Sequence, residues 1–176
     1  MRRAKPGIRN GMGLIVVILV LAFLLAVGMT VISITQTGPE VAGNVRLQQQ
    51  ALQVAEAGFD AAWRQLSDQL GSGVISDFST LYRTTYGGAS GLDDPQNANY
   101  FRRLTDQQLV ADVVANSENE LFADQPMPGD ARFAYTVFLI DDETYGVPDE
   151  TDCLLICIGR GPRDSYARIE VEISLN

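Results

Sequence analysis

Leu14-Ile15-Val16-Val17-Ile18-Leu19-Val20-Leu21-Ala22-Phe23-Leu24-Leu25 is the densest part of a stretch, residues 14–34, that carries no charged side chain. At about 1.5 Å per residue such a stretch makes a helix roughly 31 Å long, the thickness of a bilayer's hydrocarbon core. It is long enough to cross a membrane once. Four cations, Arg2, Arg3, Lys5 and Arg9, precede it, and no acid does. By the positive-inside rule the short tail stays cytoplasmic and everything after the span is exported. A secretory signal has a shorter apolar region, about 7–15 residues. Cleavage after Ala26-Val27-Gly28 stands as the alternative to a retained anchor.

The rest of the chain is acidic. Of 13 basic and 22 acidic residues, only nine basic ones lie beyond residue 11, which leaves that part at −13. An acidic body has no electrostatic footprint for nucleic acid or for anionic lipid. The whole chain has 176 residues, so after the span there is room for one globular domain.

After the span come Gly38 and Pro39, which predict a kink or short break in the helix, because proline removes a hydrogen bond and glycine lowers helix propensity. The helix then resumes. No proline occurs from Glu40 to Leu70, and Leu52, Ala55, Phe59, Ala62, Trp63, Leu66 and Leu70 recur at offsets of three, four and seven as one apolar stripe. Gly71-Ser72-Gly73 ends it. The expected division is therefore a leader at 1–11, a transmembrane helix at 12–35, an amphipathic stem helix at 36–72 and an extracytoplasmic domain at 73–176.

Within that domain residues 74–130 read as mixed, with a Gly-rich acidic loop at residues 87–95 and a short helix near Asp106 to Val114. Three β-rich runs follow, Ala131 to Ile140, Cys153 to Ile158 and Tyr166 to Ile173, the last alternating polar with apolar. A turn at Gly159-Arg160-Gly161-Pro162 and a longer loop at 141–152 make them an antiparallel meander packed on the helix. The fold class is thus α+β. Cys153 and Cys157 share one strand face about 13 Å apart, too far for a disulfide, and read as small buried thiols.

The chain has no histidine, which removes the usual Ser-His and Cys-His pairs and most zinc sites. Asp93 with Asp94, or the carboxylates of 141–152, are paired acids with nothing to fix their geometry. We therefore expect no catalytic residue and no cofactor. Asp141, Asp142, Asp149 and Asp152 are candidate calcium ligands, although the EF-hand spacing is absent and a solvated acidic hairpin explains the same residues.

The leader ends in Gly11, and the apolar run begins at once with Met12-Gly13-Leu14-Ile15. This arrangement resembles the class III signal of type IV prepilins, which implies a cut between Gly11 and Met12 by a prepilin peptidase and methylation of the new N-terminus. Glu40-Val41-Ala42-Gly43-Asn44, followed by Ala51-Leu52-Gln53-Val54-Ala55-Glu56-Ala57-Gly58, is similar to the N-terminal signature of PilX-type minor pilins. The resemblance covers about residues 8–70. It implies a pilin-like domain, a bacterial inner-membrane precursor, and other major and minor pilins, the prepilin peptidase, membrane lipid and the inner-membrane assembly machinery as partners. Most such proteins carry glutamate at the fifth mature position, where it is thought to pair with a neighbour's N-terminal amine. Here that position is Val16, which implies a minor component. A type II secretion pseudopilin and a membrane-anchored binding domain outside any fibre share the same features.

Overall fold

A computed structural model describes residues 9–141 and 151–175. Two compact units divide the chain, Met1–Val45 and Arg46–Asn176. Helix α1 spans Arg9–Gly71 without interruption. The break expected at Gly38-Pro39 is absent: the backbone there keeps its helical assignment. Proline's φ suits a helix, so continuing through it costs about 3 kcal/mol, an amount that a long helix on either side can absorb.

In the first unit, Gly13–Ser33 is a helical segment long and apolar enough to cross a membrane, and none of it is buried against protein. Threonine hydroxyls here bond back within the helix. The Thr30 hydroxyl donates to the Ala26 carbonyl at 2.8 Å, and just beyond the segment the Thr35 hydroxyl does the same to Val31.

The second unit is α+β. A hairpin of β1 (Thr85–Tyr86) and β2 (Ala89–Ser90) turns through Gly87 and Gly88, both at positive φ, as a two-residue turn that suits glycine. Helix α2 (Asp106–Ala115) follows, its start fixed by a capping box between Thr105 and Gln108. Then come β3 (Glu120–Met127), β4 (Asp130–Ile140), β5 (Asp152–Arg160) and β6 (Tyr166–Ser174), an antiparallel sheet in that spatial order. Helix α1 ends where glycine predicts: the Val74 N–H reaches back to the Gln69 carbonyl, and Gly73 takes φ +70°.

The sheet is covered on both faces. Val137, Leu139, Cys153, Leu155, Cys157 and Ile173 pack with Ala62 and Leu66 of α1. The alternate residues Phe138, Ile140, Leu154, Ile156 and Ile158 pack with Leu109, Val110 and Val113 of α2 and with Phe101. Period-two alternation sorts one strand's apolar residues into two cores, which is why β5 reads as an unbroken apolar run.

Two further points of the sequence reading are corrected. Strand β3 was not anticipated; it is an irregular edge strand with register shifts, Pro126 near its end and Asp124 at φ 42°. The turn expected at residues 159–162 begins later, because Gly159 and Arg160 belong to β5, and a short 3-10 segment occupies Pro162–Asp164. Gly159 is needed for contact. A Cβ there would lie 2.1 Å from the Ala51 carbonyl oxygen and 2.4 Å from the Ala55 nitrogen. The small residues Ala51 and Ala55, both fully buried, thus let α1 lie directly on the sheet's backbone.

A buried ion pair ties the connecting segments together. Arg83 is wholly buried; its guanidinium donates to Asp112 Oδ2 at 2.8 Å and to the carbonyls of Glu118 and Asn116 at 2.7 and 2.9 Å. Asp112 Oδ1 accepts from the Gly87 N–H and the Asn116 side chain, each at 2.7 Å. Burial pushes the Asp112 carboxyl upward, but these hydrogen bonds and the Arg83 charge outweigh it and hold the pKa below its ordinary value.

Candidate functional site

The residues singled out from the sequence fall in three places. Gly11 and Met12 lie in the helical backbone of α1, and the Val16 side chain is exposed in the uncharged segment that follows. A valine in that place needs no ionic partner, whereas a carboxylate would.

Of the calcium candidates, Asp142 and Asp149 lie outside the described residues. Asp141 is half-buried at the end of β4, and Asp152 opens β5, where its carbonyl accepts the Tyr82 hydroxyl at 2.5 Å. Among the described residues no three acids, cysteines or histidines come together as metal ligands. Asp94 serves its own turn: Oδ1 accepts the Gln96 N–H at 2.8 Å. Cys153 and Cys157 are thiols that face the same core, and burial pushes the Cys157 thiol up to about 12.

The third place was not anticipated. Sequence reading put Leu52, Phe59 and Trp63 on one core stripe, yet Leu52 is 40% exposed and Trp63 is 49% exposed. Offsets of seven and four place these three together on one flank of α1, while Ala51, Ala55, Ala62 and Leu66 hold the buried centre.

On that flank the rings of Phe59 and Trp63 stack with centroids 6.5 Å apart and an angle of 18° between planes. With Val171, Glu172, Ile173 and Ser174 of β6 they line a groove of about 350 Å³. Among the described residues β6 is an outer strand, paired with β5 alone. An apolar groove therefore runs beside backbone that can still pair. Glu172 is exposed, but its side chain alternates to the opposite face of β6 from Val171 and Ile173; Glu56 and Asp60 are exposed on α1, seven and three residues before Trp63. None of the three joins an ion pair among the described residues.

No family model, curated protein or solved structure matches the chain.

Proposed function

We propose that the chain is a minor pilin-like subunit, made as an inner-membrane precursor, cut by a prepilin peptidase between Gly11 and Met12, and taken into a type IV pilus during initiation or at the tip. The observation that carries this reading is helix α1. One helix contains both the uncharged segment Gly13–Ser33 and the small-residue face, Ala51, Ala55 and Ala62, that covers an antiparallel sheet. A subunit held by such a helix can leave lipid and pack among other helices without changing its secondary structure. Val16 supports a minor place, since it brings no carboxylate that must meet a neighbour's amine.

The test is the N-terminal sequence and mass of the protein recovered from membranes and from sheared fibres. The expected result is a chain that starts at methylated Met12, depends on the peptidase and is present in the fibre fraction. A start at Met1, or a cut near residue 28, would remove the pilin reading.

A further inference from the structure

We infer that a second cavity, between α1 and the turn from β3 to β4, binds an uncharged sugar ring, a single hexopyranose unit. Its volume is about 290 Å³, the small end of ligand clefts and room for one six-membered ring. Gln50 and Gln53, close to one turn apart on α1, line one side. Asp130 lines the other, and the hairpin fixes its place. Met127 pairs with Asp130, and between them Pro128 has its φ set by its own ring while Gly129 takes φ +92°. Val54, Met127 and Phe133 add apolar surface to the walls.

The chemistry of the walls selects the ligand. Arg132 grips both carboxylate oxygens of Asp130, at 2.7 to 3.2 Å, and these hydrogen bonds hold the carboxyl down to about 2. The one acid on the wall is therefore ionised, already neutralised, and still able to accept from a hydroxyl. Among the described residues no side-chain hydrogen bond engages Gln50 or Gln53, so each carboxamide keeps its donors and its acceptor for a ligand. A metal ion would want several oxygens with net negative charge, more than one paired carboxylate supplies. A phosphate would want a cation or a helix N-terminus, and the walls contain neither. An alkyl chain would leave two carboxamides and a carboxylate dry without partners. A pyranose meets every wall: its hydroxyls suit the carboxamides and Asp130, and its C–H faces suit Val54, Met127 and Phe133.

The experiment follows the full chain by NMR, with methionine methyl groups and glutamine side-chain amides labelled, in phosphocholine micelles, which carry no sugar of their own. Methyl glycosides of glucose, galactose and mannose are the probes. We expect at least one of them to shift the Met127 methyl and the Gln50 and Gln53 amide signals saturably, with a Kd of about 1 mM, ordinary for a ligand of about a dozen heavy atoms. Gln53→Ala, at an exposed position, should weaken that binding about tenfold, whereas Gln49→Ala, next to the wall but outside it, should leave it unchanged. Cyclohexylmethanol keeps the ring and one hydroxyl and should bind at least about tenfold more weakly than the sugar. Far-UV circular dichroism checks that both variants stay folded.

The inference is overturned if none of the glycosides gives a saturable shift up to about 50 mM. It is overturned as well if cyclohexylmethanol binds as tightly as the sugar, which would make the cavity merely apolar, or if Gln53→Ala binds like Gln49→Ala, which would put the sugar elsewhere. The inference does not depend on prepilin processing: a chain found to start at Met1 that still binds the glycoside keeps it and loses only the pilin reading.

Discussion

Replacing Gly159 by alanine adds one methyl group where helix and sheet meet backbone to backbone. The new Cβ would sit 2.1 Å from the Ala51 carbonyl oxygen and 2.4 Å from the Ala55 nitrogen, so α1 and β5 must part by roughly 1 Å to restore ordinary contact. Overpacking of a close-packed core costs about 1–3 kcal/mol. Neither side can yield by rotating a side chain, so we expect the top of that range, about 3 kcal/mol, out of a total near 5–15 kcal/mol. The assay is urea unfolding of the full chain in micelles, read by Trp63 fluorescence. With a slope of about 1–3 kcal/mol per molar, the midpoint should fall by about 1–3 M. Gly58→Ala is the control. Its Cβ would first meet the Tyr135 side chain, at 3.0–3.1 Å, and the gain in helix propensity, about 1 kcal/mol, offsets that contact. A Gly159→Ala protein within about 0.5 kcal/mol of the parent, the size of an ordinary surface change, would refute the close-approach argument.

Four more outcomes are expected. Asp112→Ala leaves the Arg83 guanidinium buried without its nearest counter-ion and should cost about 3–5 kcal/mol in the same urea assay. Because the Asp112 pKa is depressed in the folded state, its contribution is fully present above the ordinary 3.8 and is lost as pH falls through the folded value; acid titration of stability should therefore show a shallower decline in Asp112→Asn than in the parent. Both thiols are fully buried, and the Cys157 pKa lies near 12, so a disulfide-exchange reagent at pH 8 should label neither in the folded chain and both in denaturant. Thr105→Ala removes the side-chain half of the α2 capping box and should cost about 1 kcal/mol, measured by thermal unfolding.

The elements that repeat a period over many residues were legible in the sequence. The uncharged run and the apolar stripe marked α1, the Asp106 to Val114 segment marked α2, and three apolar runs marked β4, β5 and β6. Strand β3 was not, because an edge strand with Glu120, Asp124, Gln125 and Pro126 has the composition of a loop and gains its structure from pairing with β4. The Arg83–Asp112 pair was hidden for a different reason: 29 residues separate two charges that each look solvated, and only the fold brings them into one dry place. Gly159 was misread as a turn because glycine beside Gly161-Pro162 carries a turn's composition, whereas its role is set by what lies across from it. The groove escaped notice since periodicity reports that Phe59 and Trp63 share a side of the helix, not that the sheet stops short of them.

Strand β5 is apolar on both faces, so hydrophobic patterning says little about its own alignment: Cys153, Leu155 and Cys157 could trade places with Leu154, Ile156 and Ile158 and still be buried. Gly159 supplies the missing information. A slip of one residue would present the side chain of Ile158 or Arg160 to the helix backbone at Ala51 and Ala55, where there is no room for a single methyl group. The glycine works as a key that admits one threading of the central strand, and the ladders on either side inherit their pairing from it.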